Sequence, residues 1–151
     1  MERHIVLLAY NIRSLWNVGS LFRTSDAFGV EKLLLSGYTA LPPRREISKT
    51  ALGAEKTVPW EHMTDPIEAM NRLRKEGYGI VALEQTQRSV ALEEFHPPER
   101  LCLIVGHEVT GVDRKILALC DACVEIRMLG AKESLNVAVA AGIALYHLRT
   151  A

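Results

Sequence analysis

Short apolar runs alternate along the chain with longer stretches whose apolar residues recur every three or four positions. The runs are rich in Val, Ile and Leu and nearly continuous, which is typical of strands buried on both faces of a parallel sheet. They occupy residues 5–9, 33–35, 78–83, 101–105 and 122–126. Helical periodicity is found at residues 17–29, 66–76, 113–119 and 133–148. The alternation predicts an α/β fold with a mostly parallel sheet and helices on both faces.

Composition narrows the class of protein. A chain of 151 residues and 16.8 kDa, with no internal repeat or linker, predicts one domain over residues 1–151. Lys+Arg and Asp+Glu both number 18, which excludes a globally basic nucleic-acid binder but not a local basic surface. No apolar run is long enough to span a bilayer, and the first residues lack a signal-peptide pattern. We therefore expect a cytoplasmic protein without membrane contact.

The three cysteines do not predict a disulfide framework, because their number is odd and the chain can build a core without staples. Cys102 lies inside a predicted buried strand. Cys120 and Cys123 form a single CxxC without a second pair, which favours small buried residues over a zinc or redox site. No other metal-ligand spacing occurs, so we predict no metal.

Residues 17–29 combine an apolar helix face with polar residues of two possible uses. Asn17 stands where the helical pattern begins, so its side chain suits a helix cap. Arg23 points away from the apolar face and is either solvated or a phosphate ligand. Gly19, one turn earlier, is expected to leave open space beside the Arg23 guanidinium.

A second candidate segment, residues 103–112, is a buried strand followed by Gly106, His107, Glu108 and Gly111. Ligands of open α/β sheets bind beyond the carboxyl ends of strands, and Gly106 is expected to keep space for one. The spacing matches neither a dinucleotide fingerprint nor a phosphate-binding loop. His107 is interpreted as a loop residue rather than a base, since no partner nucleophile is evident.

The third candidate segment, residues 126–148, is a strand end, a glycine turn and a long apolar helix predicted to start near Ser134. Ser134 and Asn136 are either helix-start residues or site residues. Residues 137–145 are all Val, Ala, Gly, Ile or Leu. A helix that is apolar all round is buried on more than one side, which in a chain this small predicts a second subunit.

A cluster of positive charge follows two consecutive prolines. Arg44, Arg45 and Lys49 lie in a stretch predicted to be an exposed loop. The loop is either simply solvated or makes phosphate contacts, because affinity for nucleic acid depends on local Lys and Arg.

Taken in order, the three candidate segments resemble the motifs of the SpoU/TrmH branch of the SPOUT RNA methyltransferases. Asn17 and Arg23 match the first motif, and Gly106, Glu108 and Gly111 match the second. The third motif is similar to IRMLG followed by SLNVAVA, and SKTALGAEKTVPW resembles the linker between motifs. The chain departs from the family pattern at His107, where Asn is usual, and at Arg127, where Pro is usual.

This resemblance implies a C-terminal trefoil knot, a homodimer, and S-adenosylmethionine bound by three loops. The implied reaction is methyl transfer to a ribose 2′-hydroxyl of tRNA or rRNA. The short chain is similar in size to the compact tRNA wobble-position enzymes. By position, the implied cofactor-binding residues are Leu83, Glu84, Gln85, Gly106, His107, Glu108, Ile126, Met128, Leu129, Gly130, Ser134 and Leu135.

The resemblance also implies roles for site residues. Arginine is too basic to be a good general base, so Arg23 is expected to bind a phosphate and polarise the hydroxyl. Asn17, Ser134 and Asn136 would position Arg23 and the ribose, while Glu108 would anchor its loop and help to position the substrate. RNA contacts are expected from Arg23, Arg44, Arg45 and Lys49. The alternatives are a SPOUT enzyme that methylates a base and a non-catalytic, dimeric RNA-binding module.

Overall fold

The computed structural model describes residues 2–151 and contains a seven-stranded sheet in which every strand pair is parallel. The strand order is β3-β2-β1-β6-β4-β7-β5. The parallel α/β architecture predicted from the apolar runs is confirmed, and all carboxyl ends lie at one edge of the sheet. The strands are β1 (His4–Tyr10), β2 (Lys32–Ser36), β3 (Trp60–Met63), β4 (Gly79–Leu83), β5 (Val90–Ala91), β6 (Arg100–Val105) and β7 (Ala122–Glu125).

Helices cover both faces of the sheet, also as predicted. Neighbouring strand residues such as Leu7 and Leu8 belong to opposite hydrophobic clusters, because side chains alternate across a strand. Helices α1, α2 and α5 cover one face, and α3 and α4 cover the other. The helices are α1 (Leu15–Ala27), α2 (Arg45–Ala51), α3 (Pro66–Lys75), α4 (Arg114–Leu117) and α5 (Val137–Thr150).

The apolar pattern did not predict three short elements. Strands β3 and β5, of four and two residues, lie at the two edges of the sheet and are only partly buried, so they lack a continuous apolar run. The basic stretch predicted as a loop contains helix α2, which buries Ile47 and Ala51. Seven residues are too few for a clear helical period, so the loop prediction was wrong although the exposure of its charges was correct.

Two helix starts also differ from the prediction. Helix α1 begins before Asn17, and its cap is Ser14, whose Oγ accepts a hydrogen bond from the Asn17 backbone N–H at 3.2 Å. Helix α5 begins at Val137 rather than near Ser134. Its cap is Asn136, whose Oδ1 accepts from the backbone N–H groups of Ala138 and Val139 at 2.9 and 3.2 Å. In both cases a side chain that satisfies free N–H groups determines where the helix starts.

Within residues 2–151, no helix has the length and apolar character that crossing a bilayer requires.

Candidate functional site

A cavity opens at the carboxyl ends of the adjacent strands β4, β6 and β7. The segments after these three strands and the start of α5 form its wall, so the structure brings together three loops that are far apart in sequence. Of the residues predicted for the cofactor, ten line this cavity. They are Leu83, Glu84, Gln85, Gly106, His107, Glu108, Ile126, Met128, Ser134 and Leu135.

The remaining two predicted residues, Leu129 and Gly130, lie outside the cavity wall, and the Leu129 side chain is 95% exposed. Several wall residues were not predicted. Glu125 is the last residue of β7, so its position at a strand end was the available signal. The residues missed are Val105, Val109, Thr110, Gly111, Glu125, Val137 and Ala140.

Two glycines close the loop after β6. A Cβ on Gly106 would lie 2.6 Å from the Gly111 carbonyl carbon and oxygen, and Gly111 has a positive φ of 72°. The space beside Gly106 is therefore filled by the protein's own backbone, so the expectation that Gly106 keeps room for a ligand was wrong. The Glu84 carboxylate contacts Gly111 and accepts a hydrogen bond from the Val112 backbone N–H at 2.9 Å, which ties this loop to the one after β4.

His107 stabilises the same turn. Its Nδ1 accepts from the backbone N–H groups of Val109 and Thr110 at 3.0 and 3.1 Å. Because Nδ1 accepts both bonds, the proton of the neutral ring lies on Nε2. This arrangement agrees with the interpretation of His107 as a loop residue.

Glu108 joins the second motif to the first. Its carboxylate accepts from the backbone N–H groups of Arg13 and Ser14 at 2.9 and 3.0 Å and from the Asn17 side-chain amide at 2.9 Å. Partial burial alone would raise the pKa of Glu108, but the hydrogen bonds from Asn17, Arg13 and Ser14 outweigh that effect and lower the pKa below its ordinary value. Glu108 is therefore an ionised anchor for the start of α1.

The third motif is attached through Asn136. Its Nδ2 donates to Asn17 Oδ1 at 3.2 Å, so Glu108, Asn17 and Asn136 form one hydrogen-bonded chain, the polar network. Asn17 was considered as a helix cap, but its side chain is used here instead. Ser134 is exposed at the cavity wall, and the neighbouring Glu133 carbonyl accepts from Gln85 Nε2 at 2.9 Å.

Arg23 does not line the cavity. It is exposed on α1, on the wall of a groove that we call the α1–α5 groove, and Asn136 lies between the two sites. The groove wall consists of Ser20, Arg23, Thr24, Ala27, Phe28, Lys49, Thr50, Leu52, Asn136, Ala138, Val139, Gly142, Ile143 and Tyr146. On α5, Val139, Ile143 and Tyr146 are 51%, 42% and 59% exposed, so this helix buries only one side within the chain.

Gly19 does not serve Arg23 in the way that was expected. A Cβ on Gly19 would overlap Thr50 Oγ1 and the Ile47 carbonyl oxygen, so the glycine lets α1 pack closely on α2 rather than leaving open space. Arg45 and Lys49 lie on the exposed side of α2, and Arg44, also exposed, comes just before its first residue.

Lys49 Nζ lies 6.0 Å from the centroid of the Trp16 ring, and Arg44 lies 4.0 Å from Glu46.

The cysteines have the buried positions that their sequence context predicts. All three are free, and burial raises the pKa of Cys120 to about 12 and also raises that of Cys102. Among residues 2–151, no group of three or more His, Cys, Asp or Glu side chains is arranged to hold a metal ion.

Fold and site together define an α/β protein with a cavity beyond the carboxyl edge of a parallel sheet, which is where open α/β sheets bind ligands. Residues 4–146 match the profile of the SpoU rRNA Methylase family, and the chain belongs to this family.

A curated relative is the tRNA (guanosine(18)-2′-O)-methyltransferase of Aquifex aeolicus, 32% identical over 96% of this chain. The chain spans 68% of that relative's length and 57% to 59% of several others.

Two solved structures have the same fold over nearly the whole chain. The AdoMet-bound rRNA methyltransferase from Sinorhizobium meliloti has a TM-score of 0.92 and 25% identity, with 99% of this chain and 57% of that chain covered. A structure described in terms of the 2-OH methylation of C/U34 on tRNA has a TM-score of 0.83 and 27% identity. The match covers 97% of this chain and 94% of that chain.

Proposed function

We propose that this protein is an S-adenosylmethionine-dependent methyltransferase that modifies a ribose 2′-hydroxyl of tRNA or rRNA. The observation that carries the proposal is the polar network, because Glu108, Asn17 and Asn136 join the three family motifs beside one cavity. Relatives named as 2′-O-methyltransferases of tRNA and rRNA support the reaction and the substrate class.

The cavity suits S-adenosylmethionine in its chemistry. Leu83, Ile126, Met128 and Leu135 supply apolar wall for a flat adenine ring. The loops also bring backbone groups to the wall, which suit the polar edges of the adenine. When bound, the cofactor supplies a methyl group on a positively charged sulfur, which needs alignment more than activation.

The chain's own residues then have separable tasks. Both Glu108 carboxylate oxygens already accept hydrogen bonds from the protein and the Glu108 pKa is lowered, so Glu108 is an anchor and a poor proton acceptor. Ser134 on the cavity wall positions the ribose, and Asn17 and Asn136 assist from the polar network beside the cavity. The Arg23 guanidinium binds the adjacent phosphate and polarises the 2′-hydroxyl. Arg44, Arg45 and Lys49 add phosphate contacts along the RNA.

A homodimer is part of the proposal. The exposed apolar face of α5 continues into the α1–α5 groove, and a second copy of the chain would cover both. Arg23 lies in the groove and not in the cavity of its own chain. We therefore assign Arg23 to the cavity of the partner subunit.

The trefoil knot implied by the resemblance belongs to the same proposal. The hydrogen bond from Gln85 to the Glu133 carbonyl supports a close crossing of the loops concerned. A cytoplasmic location remains our expectation, since tRNA and ribosomes are found there.

The decisive test combines calorimetric titration of S-adenosylmethionine with methyl transfer to pooled tRNA and rRNA, followed by mass analysis of the nucleosides. We expect cofactor binding that chelators do not change, and a 2′-O-methylated nucleoside as product. A methylated base would favour the base methyltransferase instead. RNA binding without cofactor binding would favour the non-catalytic module.

The dimer and the role of Arg23 are tested together by mixing two inactive variants. Arg23→Ala retains its cavity, and Ala140→Trp fills its cavity with an indole while retaining Arg23. If Arg23 serves the partner's cavity, random re-pairing restores roughly a quarter of the wild-type activity. If Arg23 serves its own cavity, the mixture stays inactive. Light scattering of the wild type should give about twice 16.8 kDa.

A further inference from the structure

Tyr38 is an exposed aromatic residue that the proposed mechanism does not use. It follows β2 at the carboxyl edge of the sheet, and 60% of it is exposed. Its backbone N–H is bonded to the Asn11 side chain.

The backbone that carries Tyr38 is held firmly. The Tyr38 N–H donates to Asn11 Oδ1 at 3.0 Å, and Asn11 has a positive φ of 53°. Gly37 has a φ of 63°, and a Cβ there would overlap the Asn11 amide. The buried Thr39 hydroxyl accepts from the Ile12 N–H and donates to the Ala9 carbonyl, both at 3.0 Å. The exposed ring is therefore presented from a fixed loop, which lowers the entropy cost of using it in binding.

The Tyr38 ring is also adjacent to the cavity. Its centroid lies 6.4 Å from that of the His107 ring, at an interplanar angle of 79°. His107 lines the cavity and is held by the backbone of Val109 and Thr110. An edge-to-face contact leaves one face of the tyrosine ring free for a further planar group.

We propose that Tyr38 is a stacking platform for an unpaired nucleobase of the RNA, next to the nucleotide that is methylated. The inference rests on the proposed function and specifies the substrate as RNA that is single-stranded at this point. Positive charge favours RNA as the occupant, since Arg13 is exposed two residues after Asn11 in sequence. Arg44 and Arg45, the cap and the first residue of α2, are also exposed six and seven residues after Tyr38. A base can stack on a protein ring only when it is not paired and stacked within an RNA double helix.

The test compares Tyr38→Leu, which keeps apolar bulk without a ring face, with Tyr38→Phe, which keeps the ring. Val90→Ala is the matched control, because it removes exposed apolar surface from β5, near the opposite edge of the sheet. The measurements are filter-binding Kd values for pooled tRNA and for rRNA, calorimetric Kd for S-adenosylmethionine, and Tm. We expect Tyr38→Leu to raise the Kd for RNA by roughly 5- to 100-fold, with Tyr38→Phe and Val90→Ala close to wild type. Cofactor Kd and Tm should not change.

Unchanged RNA binding by Tyr38→Leu, or an equal loss in Tyr38→Phe, would overturn the stacking role. Methyl transfer by the wild type, measured in parallel, distinguishes a failure of the stacking role from a failure of the proposed function. Wild-type transfer with no effect of Tyr38→Leu leaves the function standing and removes the platform. Ring-dependent RNA binding without any transfer removes the function and leaves the platform. Absence of RNA binding by the wild type removes both.

Discussion

The two ends of helix α1 differ in how far the chain satisfies their polar side chains. Near the start, Asn17 is bonded to both Glu108 and Asn136, so its geometry is set before any ligand arrives. Six residues later, Arg23 is exposed in the α1–α5 groove, and its side chain makes no hydrogen bond or ion pair within residues 2–151. Asn17, whose hydrogen bonds are made within the chain, holds loops in place. Arg23, whose side chain is unbonded within the described residues, is available to a phosphate or to a second chain.

Arg23→Ala should have the largest effect. We expect single-turnover methyl transfer at saturating RNA and cofactor to fall by about two orders of magnitude or more, because the fork that aligns phosphate and hydroxyl is lost. Cofactor binding should be unchanged, and stability should change by about 0.5 kcal/mol or less because the side chain is exposed.

Arg23→Lys should recover little, since a point charge does not hold two contacts in fixed geometry. Arg114→Ala, which removes another exposed guanidinium, is the control and should keep the wild-type rate. A near-normal single-turnover rate in Arg23→Ala would make Arg23 an ordinary surface residue.

Glu108→Gln disrupts the hydrogen bonds that hold the start of helix α1. The new NH₂ group would face the Arg13 N–H or, in the other orientation, the Ser14 N–H and the Asn17 amide. Because at least one hydrogen bond is replaced by a contact between donors, we expect a loss of roughly 1–3 kcal/mol in the free energy of unfolding. Glu133→Gln is the control, because the Glu133 side chain is exposed and its backbone carbonyl alone is used. Equal stability of the two variants would show that the polar network contributes nothing to folding.

Acid stability gives an independent measure of the same anchor. The pKa of Glu108 is lower in the folded chain than its ordinary value of about 4.3. Its stabilisation is therefore fully present above that ordinary value and is lost as pH falls through the lower, folded pKa. The wild-type Tm should fall across this acidic range, and Glu108→Gln should flatten that part of the profile. Parallel profiles for the two proteins would contradict the anchor role.

The sequence predicted which residues line this cavity better than it predicted the contacts that they make. Three motifs could be found because their residues are close together along the chain. The tasks of Asn17 and Gly106 depend on Glu108 and Gly111 across folded loops, and Asn17 lies 91 residues from Glu108. No local sequence pattern shows whether an asparagine caps a helix or donates a hydrogen bond to a carboxylate that is distant in sequence.

Two glycines in the proposed cofactor loops differ in the space around them, since Gly106 is closely packed and Gly130 is open. Gly106→Ala should destabilise the protein by about 1–3 kcal/mol, because its Cβ would be forced against the Gly111 backbone. Gly130→Ala should change stability by about 0.5 kcal/mol or less, since a Cβ there meets nothing within 4 Å. Chemical denaturation measures both. A tolerated Gly106→Ala would mean that the loop relaxes easily.

The smallest effect is expected from the basic surface of α2. Replacing Arg44, Arg45 and Lys49 with alanine should weaken RNA binding and reduce the salt slope by roughly one unit per lost phosphate contact. Filter binding over a series of salt concentrations measures the slope. An unchanged slope would leave these residues as a solvated helix face.

The sequence by itself determined the alternation of buried strands and helices, because burial on both faces demands apolar residues at nearly every position of a central strand. The apolar pattern did not predict edge strands β3 and β5 or the short helix α2, because partly exposed elements lack a continuous apolar run. Only the tertiary structure decided that Gly19 packs α1 on α2, that Asn17 bonds to Glu108, and that Arg23 faces a groove instead of the cavity. These outcomes depend on distances between segments that are remote in sequence, and such distances arise only when the parallel sheet brings the ends of its strands to one edge.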